Sequence, residues 1–249
     1  MQMEDYYIDI NCDVGEGITH EHLLYPHISS CNIACGGHTG TLDSIRTSVA
    51  DAVKHGVKIG AHPSYPDPAN FGRISISMDP SEFKNSIRDQ IERLDYVLKI
   101  QGVPLHHIKP HGALYNDLAK DLVLSRLFLE SIREYLSNCF LFVPYGSILE
   151  EEAIRQGFRV QREAFADRNY NEDLSLVSRT YPNALIQEPK SVLEHLVPMV
   201  KNHEVRTVQD ELVKISADTY CIHGDAINSL QILAYLSKEL PKQNIYRRS

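Results

Sequence analysis

Histidine, lysine and carboxylate side chains recur where a parallel α/β fold gathers its chemistry. The stretch "HIKPHGALYN" sets His107, Lys109 and His111 on alternate positions, and Pro110 and Gly112 interrupt the run. Alternation is the strand period, so these three side chains share one face. An ammonium on the inner face of a sheet is costly unless a carboxylate meets it. Asp13 or Glu163 is therefore the expected partner of Lys109.

Other short motifs carry the same kinds of group. "NCDVGEG" offers Asn11 and Asp13 on one face with Cys12 on the other. "ACGGHTG" is a glycine-rich loop bearing His38, and "GAHPSYPD" carries His62 and Tyr65. "REAFADR" supplies Glu163, Asp167 and Arg168, while "CIHGD" supplies His223 and Asp225. Each motif follows a strand-like run, and the C-terminal ends of strands are where parallel α/β folds place their sites.

Those runs are Tyr7–Cys12, Cys31–Cys35, Val57–Ala61, His106–Lys109, Phe140–Val143, Phe158–Gln161 and Thr219–His223. Between them, apolar residues at three- and four-residue spacing predict helices over 42–55, 80–100, 118–137, 147–156, 189–203 and 225–238. Asp79-Pro80 gives an N-cap with proline at the first helical position, and Asp225 is placed to cap the last helix. Strands alternating with helical crossovers require a parallel sheet covered by helices, either closed as a barrel or open and doubly wound. No linker or repeat divides the chain, so one domain over residues 1–249 is expected. Residues 164–186 lack clear periodicity and suit an active-site loop or an inserted hairpin.

Composition removes several function classes. Apolar residues form 43% of the 249, enough for a full core, and the formal charge of -8 gives no nucleic-acid footprint. Arg247-Arg248 reads as a solvated tail. No apolar run is long enough to span a bilayer, and the acidic start is no signal peptide. Five cysteines without framework spacing point to a reducing compartment, the cytoplasm by default. Cys31 and Cys35 lie opposite Asn32 and are expected to pack as small hydrophobes, as is Cys12. There is no P-loop and no GxGxxG; "CGGHTGT" before a helix offers backbone N–H groups to an anion.

Taken singly, each motif has a plain reading. Asp13 beside glycine suits a turn, His38 a backbone contact, His62 a satisfied core histidine, and Asp225 a helix cap. Their joint placement favours a site. Asp13, His38 and His62, with His111 and His223, also form an Asp/His set suited to zinc or another divalent ion, without a tight ligand spacing.

The stretches "DINCDVGEG", "CNIACGGHTG", "GAHPSYPD", "FGR", "HIKPHGALYN", "REAFADRNY", "LVSR" and "HGD" resemble, in this order, the LamB/YcsF family. They run from residue 9 to 225. The resemblance implies a distorted seven-stranded β/α barrel related to the glycoside hydrolase/deacetylase folds. It implies ATP-dependent opening of the 5-oxoproline lactam to L-glutamate, with ATP as co-substrate and subunits B and C as partners; those partners are similar to allophanate hydrolase and biotin-dependent carboxylase parts. The family's functional positions fall here on Asp13, His38, His62, Lys109, His111, Glu163, Asp167, Arg168, His223 and Asp225.

Within that resemblance, Asp13 is expected as general base oriented by His62 or a metal, and Lys109 and Arg168 as stabilisers of phosphate or oxyanion charge. His111 or His223 is expected to protonate the ring nitrogen, and Glu163 to hold Lys109 or substrate. Asn11, His38, Tyr65, Asp167, Arg168, His223 and Asp225 are expected to contact substrate. The chain departs from the family pattern at Gly37, Thr41, Ala69-Asn70, Ile74 and Ala226-Ile227, in loops expected to edge the pocket. Two other readings stand beside this one: a metal-dependent deacetylase or amidohydrolase working without ATP, and a substrate-binding subunit without catalysis of its own. Either is compatible with a homo-oligomer.

Overall fold

The computed structural model describes residues 4–224 and 228–248. Its strands run in chain order as β1 (Tyr6–Val14), β2 (Ser30–Ala34), β3 (Lys58–His62), β4 (His107–Ile108), β5 (Phe140–Pro144) and β6 (Arg159–Phe165). β7 (Glu204–Arg206) and β8 (Leu212–Lys214) form a separate antiparallel hairpin, followed by β9 (Thr219–Ile222) and β10 (Ile245–Arg247). Neighbouring strands from β1 to β6 pair in parallel, β6 then pairs with β9, and β9 returns to β1. Among the described residues this is the expected seven-stranded barrel, closed where Asp9 of β1 meets Thr219 of β9. β10 lies outside the ring, against the first residues of β1.

Alternation along β1 explains the two-sided design. Ile8, Ile10, Cys12 and Val14 are buried with the apolar core, while Asp9, Asn11 and Asp13 are buried among polar groups. The outer shell consists of α1 (Leu42–His55), α2 (Pro80–Gln101), α3 (Gly112–Leu118), α4 (Leu122–Ser131), α5 (Ile148–Arg155), α6 (Pro189–Lys201) and α7 (Ser229–Glu239). In α2, Phe83, Ile87, Ile91, Leu94 and Leu98 recur at helical spacing and are all buried. Each contributes about 1.5–3 kcal/mol over an exposed position.

Helix ends follow readable chemistry. Asp79 accepts from the Ser81 and Glu82 backbone N–H groups, Pro80 opens α2, and Gly102 closes it at φ 68°. Thr41 and Ser44 form a reciprocal capping box on α1. That box takes the Ser44 N–H, so the glycine loop before α1 meets the helix through its own cap instead of presenting that donor to an anion.

Three expectations need correction. The helix predicted over 118–137 is broken, because Asp121 caps a new helix by accepting from the Leu124 N–H at 3.0 Å. The last helix begins at Ser229 with Asn228 as its N-cap residue. Asp225, expected to cap it and to touch substrate, lies outside the described residues, as do Ala226 and Ile227. The β7–β8 hairpin and β10 were not anticipated; each strand is only three residues long, too short for periodicity to register. No helix among the described residues is long and apolar enough to cross a membrane.

Candidate active site

Below the mouth of the barrel the interior is a saturated polar layer. Asn11 Nδ2 donates to Thr219 Oγ1 at 2.8 Å and to Glu163 Oε1 at 2.9 Å. Asn32 Nδ2 donates to Asn11 Oδ1 and Asp13 Oδ1, both at 2.8 Å. His107 Nε2 donates to Asn32 Oδ1 at 2.6 Å, and its ring stacks on Phe142 with centroids 3.9 Å apart. His107 is thus the structural member of its alternating run. A Cβ at Gly60 would stand 2.1 Å from His107 Nε2, so β3 must be bare where this imidazole crosses it.

Lys109 stands on this layer. Its Nζ lies 3.0 Å from Asp13 Oδ1, 2.9 Å from Glu163 Oε1 and 3.0 Å from Cys221 Sγ, at 2% exposure. Both carboxylates expected as partners from the sequence meet it. Burial alone would favour a neutral amine, but Asp13 and Glu163 reverse this and hold the pKa well above the usual lysine range. Burial likewise pushes the Asp13 carboxyl up, yet His62 and Lys109 outweigh it and keep the acid well below its usual range. Cys221 is missed by sequence reasoning. Burial pushes its thiol well up, so it is an uncharged neighbour of the ammonium.

The end of β3, the loop between β2 and α1 and the N-cap of α3 bring three imidazoles together, His62, His38 and His111. His62 Nδ1 donates to the Lys109 carbonyl at 2.8 Å, and His62 Nε2 faces Asp13 Oδ2 at 3.4 Å. His111 Nε2 donates to the Phe71 carbonyl at 3.0 Å. Phe71 holds a left-handed φ of 54°, a strained setting for a bulky residue that aims its carbonyl at the ring. His38 stacks on His111 with centroids 3.7 Å apart. Burial, helped by His62, lowers the His38 pKa to about 3, and burial with the neighbouring imidazoles also drives His111 well down. Gln90 of α2 braces the β3 loop: its Oε1 accepts from Ser64 N and its Nε2 donates to Ser64 O, both at 2.9 Å.

A second residue missed from sequence, Glu16, stands among these rings. Its Oε1 is 3.1 Å from His38 Nε2 and 3.7 Å from His111 Nδ1. Asp13, Glu16, His62 and His111 place their donor atoms within 4.8 Å of one another. Of the expected Asp/His set, Asp13, His62 and His111 are thus brought together and Glu16 joins them, His38 stands behind Glu16, and His223 falls instead with Asp13 and Cys221.

Another imidazole is held by a carboxylate. Asp167 accepts from the His223 backbone N–H at 2.8 Å and lies 3.0 Å from its Nδ1, leaving Nε2 as the ring's available nitrogen. Burial would raise Asp167, but His223 overrides this and lowers it.

These groups open on a cavity of about 780 Å³. Asp13, His62, Lys109, His111, Glu163 and His223 line it. Arg168 lines it too, although its Nη2 and Nε donate to the carbonyls of Val177 and Ala184 and tie down the 169–186 loop. That irregular stretch forms part of the wall through residues 173–180, as an active-site loop would. Glu163 Oε2 and Tyr115 Oη are buried at this wall without a well-formed hydrogen bond.

Asn11, His38, Tyr65 and Asp167, expected to touch substrate, stand behind the wall. Asn11, His38 and Asp167 bond to residues that line it; Tyr65 instead donates to Asp117 Oδ2 at 3.0 Å and anchors the loop to α3. The departures at Gly37, Thr41 and Ile74 are also off the wall: Thr41 is a helix cap and Ile74 is exposed.

The LamB/YcsF family profile matches residues 8–249. A Pyrococcus furiosus protein, named as the A component of 5-oxoprolinase, is 38% identical over 245 residues, spanning 96% of this chain and 95% of that one. Its counterpart of the same name from Shouchella clausii is 41% identical over 243 residues, spanning 96% of each. The crystal structure of a lactam utilization protein from Thermus thermophilus superposes with a TM-score of 0.90 at 34% identity, covering 97% of this chain and 99% of that chain. On this match along its length, the chain belongs to the LamB/YcsF family.

Proposed function

We propose that this chain opens the lactam ring of 5-oxoproline to give L-glutamate, in an ATP-dependent reaction shared with partner subunits B and C. The observation that carries the reading is the buried ammonium of Lys109 between Asp13 and Glu163 on the cavity wall. A lactam carbonyl is a poor electrophile. Transfer of the γ-phosphoryl group of ATP to its oxygen, with release of ADP, makes the ring carbon attackable by water. Loss of the ring nitrogen then leaves γ-glutamyl phosphate, and a second water hydrolyses this to L-glutamate and inorganic phosphate. Lys109, held charged, stabilises the negative charge that develops on oxygen or phosphate. Glu163 Oε2, buried and without a well-formed hydrogen bond, is placed to accept the lactam N–H.

The pair Asp167–His223 supplies the acid: His223 Nε2 protonates the ring nitrogen as the C–N bond breaks, and Asp167 holds the ring in orientation. His111 is less suited, since its Nε2 is engaged by Phe71 and its Nδ1 by His62. Water activation belongs to the Asp13–Glu16–His62–His111 side. Asp13 alone is a weak base there, because a carboxyl held so far below its usual range takes up a proton poorly. Arg168 fixes the cavity loop more than it meets charge.

The test is 5-oxoproline-dependent ATP hydrolysis by the chain combined with its B and C partners. Lys109→Met and His223→Gln are expected to lower turnover by about 10²-fold or more. Full activity in both variants would overturn the assignment. A second reading, an amidohydrolase working without ATP, is favoured by the compact donor group around Asp13. Turnover of small amides without nucleotide would select it instead.

A further inference from the structure

Phe165 ends β6, two residues beyond Glu163, and strand alternation turns both side chains to the same face. It is 4% exposed and lines the cavity. Its backbone N–H donates to Tyr170 Oη at 2.7 Å, which fixes where the ring is carried. Three neighbours on the cavity wall meet that ring. Tyr115 is perpendicular to it, with centroids 5.5 Å apart and planes at 88°. His223 stacks on it at 5.3 Å and 19°. Lys109 Nζ lies over it, 5.2 Å from the centroid.

A packing role would need only volume, and these contacts use more than volume. The face of an aromatic ring is electronegative and attracts cations within about 6 Å of its centroid. Lys109 Nζ is inside that range. Its N–H groups are already directed at Asp13 Oδ1, Glu163 Oε1 and Cys221 Sγ, so a further stabilising neighbour must act without accepting a conventional hydrogen bond. An aromatic face does so. His223 is a second cation while it carries the proton it is to deliver, and a ring stacked on it steadies an imidazolium by the same attraction. Asp167 holds the Nδ1 side of His223, and Phe165 holds its plane. An aliphatic side chain would fill the space and do neither.

We propose that Phe165 is a positioning residue of the lactam-opening reaction, a single ring whose charge distribution holds the Lys109 ammonium and the protonated His223 in fixed relation. The inference rests on the reading of those two groups as charge stabiliser and acid. It adds what sets their relation. Lys109 follows β4 and His223 follows β9, two strands that do not pair, so no ladder of backbone hydrogen bonds ties the two side chains together. The ring at the end of β6 reaches both.

The experiment places mono-, di- and trifluorinated phenylalanine at position 165 of the full-length chain. Fluorine drains the ring face while adding a little apolar volume, so it separates ring charge from packing. In the complex with the B and C partners, kcat for 5-oxoproline-dependent ATP hydrolysis should fall in graded steps. The trifluorinated ring should stand about tenfold below the parent, with KM held within about twofold. Phe165→Leu should fall at least as far. The urea midpoint of the chain alone gives a second readout, independent of catalysis. It should fall along the same series, where packing alone would keep it level or raise it. In the Lys109→Met background most of that fall should vanish, and the series with Lys109 in place decides the matter if this variant does not fold. A flat kcat in a complex whose parent turns over overturns the proposal and leaves the lactam reading intact. A parent complex without turnover sinks the lactam reading instead; the urea series then judges the ring by itself, and a flat midpoint overturns its hold on Lys109.

Discussion

At the residue scale, Lys109 shows how much of the site lies in its partners. It is 2% exposed and faces two carboxylates. Replacing it by Met leaves Asp13 and Glu163 buried without their cation, a change that typically costs about 3–5 kcal/mol. Lys109→Met is therefore expected to lower the urea midpoint as well as turnover. Lys109→Arg should not restore it, since a planar fork cannot take the place of a compact ammonium here. Equal midpoints for Lys109→Met and the parent would refute the coupling. Lys109 and His111 were legible because the strand period carries them to one face. Glu16 was not: Gly15, at φ 76°, turns the chain between Asp13 and Glu16 and cancels the alternation that would have placed it. Tyr65 misled for another reason, since a phenol near a site is equally useful as a loop anchor.

At the element scale, the interior is shaped by what the strands omit. Gly60 of β3 leaves room for the His107 ring, which a Cβ would meet at 2.1 Å. Gly60→Ala is expected to destabilise the chain by several kcal/mol, in the manner of overpacking, with urea denaturation as the measure. Trimming the opposing ring should return part of the loss, so the cycle with His107→Asn should show coupling of about 0.5–3 kcal/mol. Additive losses would show that the two residues do not collide. Helix starts with a side-chain cap were legible to within a residue, as at Asp79 and Thr41. The break at Asp121 was hidden, because apolar spacing continues straight through it.

At the scale of the molecule, the barrel class followed from the alternation of strands and helices; closure required knowing that β9 pairs with both β6 and β1. The folded state also stores neutral imidazoles, which sets its response to acid. Burial lowers His38 to about 3 and His195 to about 4, against roughly 6.5 unfolded. The unfolded chain binds these protons more readily, so stability is full above about 6.5 and falls as pH drops toward those folded values. Asp13, whose folded pKa is depressed, favours the folded state above about 3.9 and so does not cause this loss. Chelator-treated protein should show a urea midpoint that declines steadily from about pH 7 to pH 5. A flat profile there would show that these rings are already charged in the fold.

Gln90 has a wider meaning than a brace. Its amide meets both Ser64 N and Ser64 O at 2.9 Å, the pattern one peptide group presents to another across a sheet. A helical side chain thus acts as a single rung of strand, offered to a loop that has no strand beside it. A Cβ at Gly37 would fall 2.3 Å from the Gln90 Oε1, so the rung and a side chain at position 37 compete for the same space. The two positions form one exchangeable unit. A bulky residue can enter at 37 only as the borrowed rung is withdrawn, and the histidine loop must then find its support elsewhere.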